Sequence, residues 1–324
     1  MSYMHIDNLY KDKAQDILQF KKCYAMEKVH GTSAHVSYKN LTPVALAVVS
    51  ETREVVSDAG ITESPANADQ IDFFSGGASP TDFLPLFDKD KLFEGFRKLG
   101  HDRVIVYGEA YGGKMQGMKD TYGPKLKFVA FEVKIGDHFL SVPKASLISQ
   151  ELGLDFVHYV EIDTTIEEID KQRDADSMQA CKCGMGLDHI REGIVLRPPF
   201  EVRLNSGARV IAKHKRPEFT ETKTKREVSP DKAVVLAKAE AIADEWVTPM
   251  RLQHVIDRIH SDGFIGSKGV GIEQTGWVID LMVEDVTREA GEEIKDSREA
   301  RRAIGQRAAK MYKEWLNSTI KEVL

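Results

Sequence analysis

The sequence predicts an α+β protein in two parts: a strand-rich domain over residues 1–227 and a small all-helical domain over residues 228–324. Up to about residue 215, short β-branched runs alternate apolar and polar positions between turn-forming residues. After about residue 228, strong helix formers recur at helical spacing. A basic run separates the two textures.

Taken in order, "KDKAQDILQF" has helical spacing, and "AHVSYK" and "PVALAVVS" read as strands. The segment from Val55 to Pro85 is rich in Gly, Pro, Ser and Asp and reads as a long surface excursion, a length uncommon unless functional. "FDKDKLFEGFRKLG" and "PKASLISQELG" read as helices, and "RVIVYGEA", "KFVAFEVKI", "HFLSV", "EGIVLRP" and "RVIAKHK" as strands. Beyond the basic run, "SPDKAVVLAKAEAIADEWVTPMRLQHVIDRIH", "TGWVIDLMVEDVTREAGEEI" and "SREARRAIGQRAAKMYKEWLNSTIKEVL" are helical. The glycines of "SDGFIGSKGVG" separate the first of these from the second.

Composition excludes several classes. The 324 residues are 42% hydrophobic, enough to bury a core in each part, and no apolar run is long enough to span a membrane. The N-terminal residues lack the pattern of a signal or transit peptide, and three cysteines make no disulfide framework, so a reducing cytoplasm is expected. The net charge of −6 argues against non-specific polyanion binding. Locally the balance reverses: Lys213 to Arg226 holds six basic residues against two acidic ones, a stretch able to grip phosphates.

There is no GxxxxGK[ST] run, and "GVGIEQTG" lacks both the preceding strand and the spacing of a dinucleotide fingerprint. "CKCGMGLDH" offers two thiols and an imidazole, but a structural zinc site needs four ligands and no second pair appears. More informative are "EKVHGT", which sets Lys28 ahead of a tight glycine turn, "YGEAYGG", which places Glu109 at a strand end, and "REGIVLRP", which begins a strand at Glu192. In "IAKHKR", Lys213 and Lys215 lie two apart and so on one face of a strand.

Each feature alone is ordinary. Together they supply what a nucleoside triphosphate needs without a P-loop: a lysine nucleophile, cations for phosphate oxygens, and carboxylates for a divalent ion or sugar hydroxyls. A free lysine, with a pKa near 10.4, is a poor nucleophile at neutral pH; nearby cations and partial desolvation favour its neutral amine. Small residues beside it let a phosphate approach. Phe128, in "KFVAFEV", is a candidate to stack on a base.

In order and spacing, "EKVHGT", "ETREV", "YGEAYG", "KFVAFEV", "REGIVLRP" and "IAKHK" resemble the motifs of the covalent nucleotidyltransferases, which include DNA ligases, RNA ligases and capping enzymes. His30 in place of the aspartate of KxDG, followed by "GT", resembles the RNA ligase 2-type family. The tail from "DRIHSDGF" onward is similar to that family's C-terminal helical domain; no OB-like strand run follows residue 228. The resemblance implies an adenylyltransferase domain built on antiparallel sheets and a helical domain that engages nucleic acid.

It also implies residue roles. Lys28 would attack the α-phosphate of ATP to form lysyl-AMP, Arg53 would contact phosphate near the ribose, Glu109 the ribose hydroxyls, and Phe128 the adenine. Glu27 would belong to the nucleotide site, Glu192 would support Mg²⁺ or Mn²⁺, and Lys213 and Lys215 would bind the α-phosphate. His30 would act after lysine adenylylation. RNA contacts would fall to Ser33, Arg216, Lys223, Lys225 and Arg226. The family often has asparagine at the position of Ser33, whose hydroxyl is shorter and forms fewer hydrogen bonds.

The implied protein is a cytoplasmic, monomeric, ATP-dependent RNA ligase of phage or bacterial type. It would join 3′-hydroxyl and 5′-phosphate ends at nicks in duplex RNA or RNA-containing hybrids. The alternatives are a DNA-joining or capping enzyme, against which His30 and the missing OB-like segment count, and a binding protein whose site has decayed. A decayed site would be expected to have lost Lys28, Glu192 or the paired lysines, and all are present.

Overall fold

A computed structural model describes residues 3–40, 69–221, 238–261 and 271–323. After a 3-10 helix at Asp12–Gln19 come strands β1 (Lys22–Lys28), β2 (Thr32–Lys39) and β3 (Gln70–Ser75), then helices α1 (Pro80–Phe83) and α2 (Lys89–Leu99). Strand β4 (Arg103–Gly112), helix α3 (Lys119–Tyr122), strands β5 (Leu126–Ile135) and β6 (His138–Phe139) and helix α4 (Val142–Glu151) follow. Next are β7 (Tyr159–Asp163), α5 (Ile166–Arg173), α6 (Met178–Lys182), β8 (Gly193–Arg197) and β9 (Ala212–Lys215). Helices α7 (Ala239–Trp246), α8 (Pro249–Ser261), α9 (Thr275–Ala290) and α10 (Arg298–Val323) complete the order.

The strands form two antiparallel sheets, one ordered β7-β1-β8-β9 and the other β3-β2-β4-β5-β6. The α+β class with antiparallel sheets is therefore observed. Because β1 lies in the first sheet and β2 in the second, the chain crosses between them through Val29, His30 and Gly31. Only glycine fits at position 31, since a Cβ there would collide with the Ala110 carbonyl oxygen of β4.

Alternation along the strands sorts side chains between two surfaces. On the first sheet, Cys23, Ala25, Ile194, Leu196 and Ala212 pack outward against Ile17 of the 3-10 helix and Ile169 of α5. The second sheet buries Val36, Val106, Phe128 and Ala130 in a core shared with Phe83, Leu92 and Phe96. Helices α7 to α10 have a separate apolar core of Ile242, Trp246, Ile256, Val278, Met282 and Ile304. Local signals set helix ends: Asp88 caps α2, which stops at left-handed Gly100, and Pro249 opens α8.

The segment expected as an excursion contains a strand, since "QIDFFS" forms β3 and pairs with β2. Phe73 and Phe74 are β formers, and a neighbouring edge to pair with outweighs the surrounding Gly and Ser. The "PVALAVVS" run, the start of the excursion and the expected boundary at residue 227 lie outside the described residues.

Candidate active site

Lys28, Met26, Gly193, Val195, Lys213 and Lys215 share the face of the first sheet that looks toward the second. Lys28 is paired with Gly193 and Gly193 with Lys215; one step along, Met26 pairs with Val195 and Val195 with Lys213. Gly193 has no side chain to separate the two lysines that flank it, and a Cβ there would collide with the His214 carbonyl. This places Lys28 and Lys215 across one residue of sheet, a separation sequence distance does not reveal.

Glu192, immediately before Gly193, is 1% exposed and joins them. Its Oε2 lies 2.8 Å from Lys28 Nζ and 3.2 Å from His30 Nδ1, while Oε1 lies 3.0 Å from Lys215 Nζ. Burial would raise its pKa, but Lys28, Lys215 and His30 outweigh burial and hold the carboxyl well below the usual range. The direct neighbour of Lys28 is thus an anion rather than an activating cation.

Glu109 enters from β4, where it faces Ser33 of β2. Burial raises its carboxyl to about 7, while Lys28 and the Gly31 amide pull the other way. His30 is nearly fully buried, edge-on to Phe219 with centroids 5.1 Å apart and tilted against His254 of α8 at 5.6 Å. Its backbone amide donates to the Tyr122 hydroxyl at 3.3 Å.

These groups line a cavity of about 540 Å³ between the sheets, a size typical of small-molecule sites. Lys28, His30, Ser33, Glu109, Glu192, Lys213 and Lys215 all border it. Its apolar wall is Met26, Val157, Val195 and Phe131.

Phe128 does not border it. This residue packs in the core with its ring 5.9 Å from Phe83 and 5.2 Å from Phe87, so a base-stacking role for it is not supported. Phe131, by contrast, borders the cavity, as does Tyr3. Tyr107 pairs with Glu132 and Gly108 with Ala130, which leaves Phe131 as the extra residue in β5. Glu109, which borders the cavity, pairs with Val129, so Phe128 faces the other way; which side of β5 meets the cavity depends on its register with β4 and not on "KFVAFEV" alone.

Glu27 is also placed differently. It borders the cavity, but its carboxylate accepts from the Ser177 hydroxyl at 2.5 Å and the Gln179 amide at 3.1 Å, at the N-terminus of α6. Adjacent residues of a strand point to opposite faces, so Lys28 and Glu27 cannot both aim into the site. Arg216 stands off the cavity, donating to the Asp174 carbonyl and 3.7 Å from Glu218. Arg53, Lys223, Lys225 and Arg226 lie outside the described residues.

Several groups at the site were not expected from sequence. The Tyr3 hydroxyl and the guanidinium groups of Arg197 and Arg209 all donate to the buried Glu132 carboxylate, and Tyr3, Arg197 and Glu132 border the cavity. For Arg197 a signal existed, because positions 193, 195 and 197 of one strand share a face. Glu221 accepts from Lys215 at 2.6 Å and lies 3.0 Å from Arg251 of α8, and Lys213 is paired with Glu289 of α9.

Among the described residues no His, Cys, Asp and Glu cluster could by itself hold a metal. The "CKCGMGLDH" thiols have other neighbours: Cys183 Sγ lies 3.7 Å from the Tyr111 hydroxyl and Cys181 Sγ 3.1 Å from the Gly186 carbonyl. No helix of the described residues is long and apolar enough to cross a membrane.

A family model described as RNA ligase matches residues 21–215. No curated protein matches the sequence. Among solved structures the chain is similar to mutants of the Naegleria gruberi RNA ligase. One with ATP and Mn is 14% identical, with a TM-score of 0.44 over 68% of this chain and 57% of that one. Another, with AMP and Mn, is 13% identical at the same score and coverage. The match thus spans little more than half the length of these relatives, and at that score the likeness bears no argument about chemistry.

Proposed function

The chain belongs to the RNA ligase family, and on that premise we propose that it is an ATP-dependent RNA ligase acting through a lysyl-AMP intermediate. The observation that carries the reading is the sharing of one buried carboxylate, Glu192, by Lys28 at 2.8 Å and Lys215 at 3.0 Å inside a nucleotide-sized cavity.

In the first step Lys28, having given its ammonium proton to solvent, attacks the α-phosphorus of ATP as the neutral amine. A P–N bond forms, the bond to the bridging oxygen breaks, and pyrophosphate leaves with that electron pair. Lys213 and Lys215 neutralise the developing charge on the phosphate oxygens, which is the larger part of such catalysis. Glu109 meets the ribose hydroxyls, and Phe131 rather than Phe128 offers the ring against the base. Both oxygens of Glu192 already contact cationic side chains, which suits a divalent ion that arrives on the triphosphate and keeps its waters better than one held in a protein cage. Glu192 and Glu109 are the carboxylates that would face such an ion, Mg²⁺ or Mn²⁺; its chemistry is charge neutralisation.

In the second step a 5′-phosphate oxygen of the RNA attacks the same phosphorus, the P–N bond breaks, and the nitrogen takes a proton from solvent to leave as the Lys28 amine. On this reading His30, 3.2 Å from Glu192, supports that reversal. In the third, a 3′-hydroxyl attacks the activated 5′-phosphate, its proton departs, and AMP leaves. Ser33 at the cavity edge is a candidate for the 5′-phosphate, and the helical part for the backbone of a nicked duplex.

The test is incubation with α-labelled ATP and Mg²⁺. Label should stay on the protein through denaturation, and Lys28→Ala should remove it. A wild-type chain that takes no label would sink the proposal, and a labelled chain that seals DNA nicks but no RNA would replace its substrate.

A further inference from the structure

The two lysines proposed to receive the α-phosphate are already neutralised from downstream. Lys213 is ion-paired with Glu289 of α9, both nearly buried. Lys215 binds Glu221 at 2.6 Å, and Glu221 is held from behind by Arg251 of α8, itself fully buried and also paired with Asp285 of α9. His5 sits 3.2 Å from the second oxygen of Glu289. The helical part thus projects the Glu289 carboxylate, and through Arg251 holds that of Glu221, toward the place where nucleotide phosphates would lie. A triphosphate set beside Glu221 and Glu289 would meet like charge at short range in a poorly hydrated site, which is costly.

Among the described residues, other contacts join the helical part to the rest, including Lys11 with Glu293 at 3.6 Å and His254 against His30 at 5.6 Å. The apolar core of the helical part is separate from both cores of the sheets. The Lys11 ammonium donates to the Glu289 carbonyl at 2.7 Å, Asp257 accepts from the Gln116 amide at 3.3 Å, and Lys13 meets Glu292 at 2.6 Å on the open surface. These polar contacts lie outside the three apolar cores.

We propose that the helical part is a self-docking inhibitor of nucleotide loading, its Glu289 competing with phosphate for Lys213. Docking and triphosphate binding exclude one another. ATP entry requires α9 to withdraw, and the freed helices are then available to a nucleic acid. This rests on the nucleotidyl-transfer reading above, but its test does not need the transfer step.

The probe is inorganic tripolyphosphate, titrated calorimetrically into the full-length chain. Two variants bear on it. Glu289→Gln removes the competing charge. Lys13→Glu sets two anions together at the exposed Glu292 contact and touches nothing in the cavity. Glu289→Gln should bind tripolyphosphate about fivefold more tightly, the factor by which a docked population of roughly 80% lowers apparent affinity. Lys13→Glu should gain about twofold, the scale of an exposed pair, and it keeps the test decisive if Glu289→Gln does not fold.

Weaker or unchanged binding by Glu289→Gln would overturn the proposal, because Glu289 would then be orienting Lys213. Tighter binding by Glu289→Gln with no change in Lys13→Glu would also overturn it, leaving local competition without docking. If both variants respond as expected while the wild type takes no label from ATP, the ligase reading alone fails.

Discussion

Glu192→Gln should destabilise the protein by about 3 to 5 kcal/mol at neutral pH, the usual penalty for removing one partner of a buried ion pair. The carboxylate is 1% exposed and has ammonium groups at 2.8 and 3.0 Å. At an effective dielectric of about 20, each such contact is worth roughly 5 kcal/mol before desolvation, which cancels much of it. What remains in the variant is Lys28 and Lys215 facing each other across Gly193 with no anion between them. Glutamine keeps the volume, so the loss is electrostatic rather than a packing defect.

The pH dependence identifies the cause. In the fold the Glu192 carboxyl titrates well below its free value of 4.5, because its cationic neighbours outweigh burial. Its contribution is therefore fully present above the unfolded value and is lost as pH falls through the folded one. Urea denaturation of both proteins at about pH 7.5, 5.5 and 3.5 should give the full gap at the first two values and a smaller one at the third. Below the unfolded value the gap should shrink by about 1.4 kcal/mol per pH unit. A gap under about 1 kcal/mol at neutral pH, or an equal gap at all three, would show that the Glu192 ion pairs do not stabilise the fold.

Two further substitutions separate roles the sequence runs together. Phe128→Ala should cost about 3 to 5 kcal/mol of stability by emptying a core site and leave the KM for ATP unchanged. Phe131→Ala should instead raise that KM about tenfold, the scale of a lost base–aromatic stack; the reverse pattern in labelling kinetics and melting curves would restore Phe128 to the site. Glu109→Gln should stabilise the protein in alkali. Burial raises its carboxyl to about 7, so ionising it costs the fold progressively from the unfolded value of 4.5 upward. With its partial exposure discounted, the variant should gain about 1 to 2 kcal/mol near pH 9 and nothing near pH 4, read from denaturation midpoints.

Much of the site was legible because its information is local. The two-residue step from Lys213 to Lys215 sets them on one face of any strand, and a glycine after Glu192 or three residues after Lys28 marks where backbone must come close. The change to helical periodicity after about residue 228 announces helices α7 to α10 by the same kind of signal. Strand β3 was hidden because its six residues sit among loop formers, and pairing with β2 rather than propensity makes it a strand.

Tertiary structure alone decided the rest. The pairing of β5 with β4 sets Val129 beside Glu109 and so turns Phe128 away from the cavity that Phe131 borders. The N-terminus of α6 claims the Glu27 carboxylate, 150 residues away along the chain from Ser177. Lys28 and Lys215 meet at one carboxylate because β8 runs between β1 and β9, an order that no spacing encodes. Glu289 reaches Lys213 across 76 residues by the placing of α9. By itself, then, the sequence determined which groups could do the chemistry and which strand faces carry them, because side-chain alternation depends only on the neighbouring residues. Register, strand order and the docking of α9 determine which of those groups touch, because they depend on packing among elements far apart in the chain.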